Sequence, residues 1–209
     1  MSTRGSEAGK RLFDVVVAGG GLLVTAPLLV LVAVAIRVTS PGPILFRQVR
    51  VGRAGVPFRI RKFRTMRVDA SGPHVSAAGD ARVTRVGRVL RATKLDELPQ
   101  LVDVVAGTMS IVGPRPEVPE YVALWPADVR EEILSVRPGI TDPVSVELRD
   151  EATLLATVPD PEQFYREELL PAKARAYADY VRTRSLIGDI RILCRTVVAV
   201  VRGGQGTRA

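Results

Sequence analysis

Residues 15–36 (VVVAGGGLLVTAPLLVLVAVAI) run for 22 positions without a charge. As a helix rising ~1.5 Å per residue they would reach ~33 Å, about one hydrocarbon thickness. The stretch therefore reads as a membrane segment. A secretory signal is the first alternative, since Lys10 and Arg11 precede the run and Ala33-Val34-Ala35 imitates a cleavage site. The run is longer than the ~7 to 15 residues of a signal core, which weighs against it. A buried core helix is the second alternative.

Two features argue against a simple straight span. Pro27 lies inside the run, where it removes a backbone hydrogen bond, and Gly19-Gly20-Gly21 weakens the helix just before it. A kink or break is expected there. The flanks are basic on both sides, with Arg4, Lys10 and Arg11 before the run and Arg37, Arg47, Arg50 and Arg53 after it. Short cytoplasmic flanks collect Lys and Arg, so both ends are expected to face the cytosol and the segment to be re-entrant. An ordinary bitopic helix stays open, because Arg outnumbers Lys 26 to 4 throughout and the bias need not be local.

The chain has 209 residues and a net charge of +8, and residues 1–67 hold 12 basic and 2 acidic side chains. That asymmetry suits an anionic membrane surface or another polyanion. With 46% hydrophobic residues disorder is excluded, and the single Cys194 excludes an internal disulfide. Cys194 is expected to be a small packing residue, and the single His74, in a Gly, Ser and Pro rich loop, a solvated bystander.

After Ser40-Pro41-Gly42-Pro43, residues 44–51 and 56–66 are rich in Val, Ile and Phe and flank Gly52-Arg53-Ala54-Gly55, the pattern of a β-hairpin. Arg85, Arg88 and Arg91 at three-residue spacing predict a short helix with a basic face. In Leu95-Asp96-Glu97-Leu98-Pro99-Gln100 the proline belongs to a first helical turn and Gly107 to a helix end, so a helix is expected to begin near Asp96. Two carboxylates at a helix N-terminus can simply cap it. With arginines nearby, the same pair can bind Mg²⁺ while one member attacks phosphorus. Arg115, fixed between Pro114 and Pro116, is a stiff mount for phosphate recognition.

Toward the C-terminus, residues 162–180 predict a helix interrupted near Pro171. In residues 186–201, Leu186, Ile187, Ile190, Leu193, Val197, Val200 and Val201 share one face while Arg184, Arg191, Arg195 and Arg202 gather on another. A basic amphipathic helix of this kind can lie at an anionic interface or pack on the core.

The segments Ser40-Pro41-Gly42-Pro43, Lys62-Phe63-Arg64-Thr65-Met66, Leu95 to Gln100, Met109-Ser110-Ile111-Val112-Gly113-Pro114-Arg115-Pro116 and Arg137-Pro138-Gly139-Ile140-Thr141 together resemble the bacterial sugar transferases, the monotopic phosphoglycosyl transferases. The resemblance covers residues 10–201. It implies transfer of a sugar 1-phosphate from a UDP-sugar to a polyprenyl phosphate at the inner face of the bacterial cytoplasmic membrane, with release of UMP. Residue by residue it assigns Asp96 as nucleophile, Glu97 as the Mg²⁺-binding carboxylate and Arg115 as an active-site arginine. Lys62, Arg91 and Asp189 match further active-site positions.

The fold class expected is α+β. It comprises an N-terminal tail and re-entrant helix broken near Pro27 (residues 1–39), a cytosolic catalytic domain with a short β-hairpin and amphipathic interfacial helices (40–201), and a C-terminal tail (202–209). The resemblance implies the minimal form, without an additional N-terminal membrane bundle. Partners expected are the UDP-sugar, polyprenyl phosphate and anionic lipids, with no nucleic acid and a homodimer left open. Residues 142–147 (DPVSVE) depart from the family's Gly and Gln-Val-Asn-Gly pattern, which leaves the sugar undetermined. A non-catalytic basic protein, anchored in a membrane or bound to nucleic acid, is the alternative from another class.

Overall fold

The computed structural model describes residues 3–69, 72, 76, 78–144 and 151–203, so His74 lies outside the described residues. The apolar run sits inside one helix, α1 (Thr3–Thr39). The expected break at Pro27 is corrected to this extent: helical residues continue through it. A proline removes one N–H bond, whereas leaving the helix would free several backbone groups. Thr25 adds a local bond, its Oγ1 donating to the Gly21 carbonyl at 2.7 Å.

Helix α1 is held at both ends and bare between them. Phe13, Val17, Ala18 and Leu22 join a cluster with Leu101, Val104, Met109 and Ile111, while Leu29, Val32, Ala33 and Ile36 join another with Phe63 and Leu90. Leu23 and Val24 are 80% and 82% exposed. Part of the triple glycine is explained by packing, because a Cβ on Gly21 would stand 3.2 Å from Leu101 Cδ1.

The hairpin forms as expected from β1 (Leu45–Val51) and β2 (Pro57–Phe63), antiparallel with Leu45 opposite Phe63 and Val51 opposite Pro57. Its connection contains a 3-10 turn, Arg53–Gly55, with Ala54 and Gly55 in the left-handed region. Helix α2 (Arg85–Ala92) starts where Thr84 Oγ1 accepts from Gly87 N–H at 2.9 Å. Gly87 sits so close to the end of β2 that an added Cβ would lie 2.0 Å from the Thr65 carbonyl oxygen. Gly87→Ala should therefore cost about 1–3 kcal/mol of stability, read as a lower Tm in detergent; an unchanged Tm would mean that the close approach can relax.

A second correction concerns the carboxylates. Asp96 and Glu97 lie on a 3-10 turn, Leu95–Glu97, ahead of α3 (Gln100–Ala106), whose N-cap is Pro99. They do not cap the helix, because the lead-in through Leu98 and Pro99 closes with short-range bonds, Leu98 N–H to Leu95 O and Leu101 N–H to Leu98 O. Strands β3 (Ser110–Val112) and β4 (Gly139–Thr141) then pair in parallel. Between them stand α4 (Pro119–Val122) and α5 (Ala127–Leu134), and beyond them α6 (Glu151–Leu155) and α7 (Pro161–Phe164).

Helical residues continue from α7 through a π turn, Tyr165–Leu169, into α8 (Leu170–Thr183). The interruption expected near Pro171 is thus a widened turn, which accommodates a residue that has no N–H to give. Trp125, Val129, Ile133, Leu169, Leu170, Ala174 and Tyr177 close the C-terminal core. The last helix, α9 (Leu186–Gly203), divides its apolar residues between two faces. Ile192 and Leu193 pack inward, while Leu186, Ile187, Ile190, Val197 and Val198 are exposed. Cys194 is exposed, not packed as expected.

Candidate active site

Four segments bring the site together. Lys62 is the penultimate residue of β2, Arg91 lies in the last turn of α2, Asp96 and Glu97 occupy the 3-10 turn, and Arg115 follows β3. Glu97 is the hub. Its Oε1 accepts from Lys62 Nζ at 2.7 Å and from Arg115 Nη2 at 2.5 Å, while Oε2 lies 3.5 Å from Arg115 Nη1.

Burial alone would raise the Glu97 carboxyl, but the charges of Arg115 and Lys62 outweigh it and hold the group well below the ordinary range. The same carboxylate raises the Arg115 guanidinium, whereas burial lowers Lys62 despite its pairing. Asp96 has the opposite environment. It is 9% exposed, its Oδ1 is buried with no hydrogen-bond partner among the described residues, and burial followed by the neighbouring Glu97 charge pushes its pKa up. Two adjacent carboxylates thus differ sharply, one neutralised by cations and one left with an unpartnered oxygen.

Arg91 is tied by Nε to Thr65 Oγ1 at 2.9 Å and by Nη1 to Ser76 Oγ at 2.8 Å, and its charge acts on Asp96. Asp189 does not join this group by any hydrogen bond seen among the described residues. It is 2% exposed and accepts from Tyr180 OH at 2.7 Å and Lys10 Nζ at 3.1 Å. Lys10 also reaches Asp14 at 2.8 Å, and Asp14 Oδ1 accepts from Ser110 Oγ and Ile111 N–H, both at 3.1 Å. This cluster ties α1 and α9 to β3.

The sequence reading missed Lys94, the left-handed residue (φ 57°) that opens the 3-10 turn and whose charge lowers both Asp96 and Glu97. A lysine in that conformation leaves no sequence signal, since glycine is the usual occupant. Thr65 was also missed, although it stands in the quoted Lys62 to Met66 segment.

Among the described residues no group of three His, Cys, Asp or Glu side chains could hold a metal. The unpartnered Asp96 Oδ1 beside Glu97 still fits Mg²⁺ arriving with a phosphorylated ligand, because that ion commonly takes one or two carboxylates and completes its shell with phosphate oxygens and water.

The family model described as bacterial sugar transferase matches residues 5–203. The chain belongs to that family. Within it, a UDP-glucose:undecaprenyl-phosphate glucose-1-phosphate transferase of Caulobacter vibrioides is 43% identical over 205 residues, covering 92% of this chain and 69% of that protein. The exopolysaccharide production protein PSS of Rhizobium leguminosarum bv. phaseoli is 36% identical, with 94% of this chain and 97% of the relative covered. A UDP-N-acetylgalactosamine-undecaprenyl-phosphate N-acetylgalactosaminephosphotransferase of Aeromonas hydrophila is 41% identical over 63% of this chain and 32% of its own length.

Proposed function

We propose that this sugar transferase moves a sugar 1-phosphate from a UDP-sugar to a polyprenyl phosphate and releases UMP, as a membrane step of glycan or exopolysaccharide assembly. The observation that carries the mechanism is the carboxylate pair with opposed environments, Glu97 bound by Lys62 and Arg115 beside an Asp96 oxygen with no hydrogen-bond partner among the described residues. Relatives named for UDP-sugars and undecaprenyl phosphate support the donor and acceptor classes.

In the first step an Asp96 carboxylate oxygen attacks the phosphorus that carries the sugar, and the bond from that phosphorus to the UMP oxygen breaks. A phosphosugar-aspartyl intermediate results. In the second step an oxygen of polyprenyl phosphate attacks the same phosphorus, the bond to Asp96 breaks, and the carboxylate is restored. Lys62 and Arg115 can turn from Glu97 to phosphate oxygens as charge develops there. Glu97, with Asp96 beside it, would hold Mg²⁺, which when bound neutralises pyrophosphate charge.

The acceptor is a lipid, and the apolar stretch of α1 with the exposed apolar face of α9 supports placement of the site at a membrane surface. Exposed Arg191 and Arg195 on α9 suit anionic headgroups at the cytosolic face. The non-catalytic alternative accounts for the basic first third and leaves the buried carboxylates unexplained.

The test is UMP release from a panel of UDP-sugars, with undecaprenyl phosphate and Mg²⁺ supplied. One preferred donor is expected. The relatives differ between glucose and N-acetylgalactosamine, and residues 145–147 of the divergent stretch lie outside the described residues. Absence of UMP with every donor would refute the transfer.

A further inference from the structure

We propose that Arg50 is a positioning residue for Arg115; the inference rests on the sugar-phosphate transfer above and adds how its phosphate-binding arginine is held. Arg115 stands between two prolines, so neither neighbouring position has an N–H to anchor it, and the loop must be fixed largely through carbonyls. Those anchors surround it. Gly113 N–H donates to Thr141 O at 3.0 Å and Gly139 N–H donates to Pro114 O at 2.9 Å, which secures the side facing β4.

Arg50 secures the other side. Its Nη1 donates to the Pro116 carbonyl at 3.0 Å and to Glu117 Oε2 at 3.2 Å, and its Nη2 donates to Gln48 Oε1 at 2.7 Å. Val51 N–H adds a bond to the Glu117 carbonyl at 3.0 Å, and Tyr165 OH donates to Glu117 Oε1 at 2.8 Å. The last two residues of β1 therefore clamp the two residues that follow Arg115. The Arg115 side chain, by contrast, is held by Glu97, a partner it can exchange for phosphate. A fixed backbone with one swinging fork is the arrangement that delivers a guanidinium to the same place at every turnover.

Arg50→Ala should lower kcat/KM for the UDP-sugar about 10²-fold, the loss typical of misplacing a binding group by about 1 Å. Arg50→Lys should recover part of it, since a single ammonium cannot span carbonyl and carboxylate as the fork does. In an Arg115→Ala background the Arg50→Ala change should cost less than about threefold more, because what it positioned is gone. A further 10²-fold loss there, or an unaltered kcat/KM for Arg50→Ala, would overturn the proposal.

Hydrogen exchange provides a reading without turnover. Arg50→Ala should quicken exchange at the amides of Arg115 and Glu117 and leave α8 unchanged; unchanged exchange at those two amides would overturn it. Wild-type protein that releases no UMP would sink the transfer itself, and the exchange result would then judge the clamp alone.

Discussion

Asp96→Asn should stop UMP release almost completely, by about 10⁴-fold or more, while the protein folds as before. The amide keeps the shape of the carboxylate and cannot attack phosphorus. No structural penalty is expected, because burial already disfavours the charged form of Asp96 and its buried Oδ1 has no hydrogen-bond partner among the described residues. Stability should stay level or rise. With acceptor withheld, the wild-type chain should carry a phosphosugar adduct at Asp96, detectable by mass, and Asp96→Asn should carry none. Turnover within tenfold of wild type would remove the covalent role and leave Glu97 and its cations to act on a direct transfer.

The pH dependence follows from the same contrast. Attack requires ionised Asp96, whose pKa lies above the ordinary aspartate value, so kcat/KM should fall on the acid side at a higher pH than an exposed aspartate would give. Glu97 lies well below its ordinary value and stays charged through that range. Glu97→Gln removes a like charge beside Asp96 and should move the acid limb downward. An acid limb that does not move would mean that burial alone sets it.

How much of this was legible follows from the range of each interaction. The apolar run, the hairpin and α2 rest on periodicities within about 20 residues, and each appears near its expected position. The carboxylate pair was readable as chemistry but not as geometry. Leu95 to Pro99 continues into α3 with helical dihedrals, and only the tight bonding of its first turn separates a 3-10 lead-in from a helix start. Strands β3 and β4 have three residues each, too short for alternation to register. Asp189 pairs with Lys10, a residue 179 positions away, and no local pattern encodes that contact.

That distant contact leads to a topology prediction with an all-or-none readout. A helix of 37 residues would reach ~55 Å if straight, so a membrane-crossing α1 would carry one of its ends far from the domain on the other. Instead both ends meet the same domain. Arg11 donates to the Val104 and Val105 carbonyls at the end of α3, Lys10 pairs with Asp189, and Ile36 is buried with Phe63 and Leu90. These contacts favour an N-terminus on the same side of the membrane as the domain, with α1 lying along the domain and its exposed residues near Leu23 and Val24 dipping into one leaflet. In a Cys194→Ser background, Ala8→Cys should resist a membrane-impermeant maleimide in intact cells and react once they are opened. Pro27→Leu restores a bond to the Leu23 carbonyl and should let some molecules cross fully; adding Asp189→Ala, which strips Lys10 of a buried partner, should raise that fraction further. Strong external labelling of Ala8→Cys without either change would mean an ordinary bitopic helix.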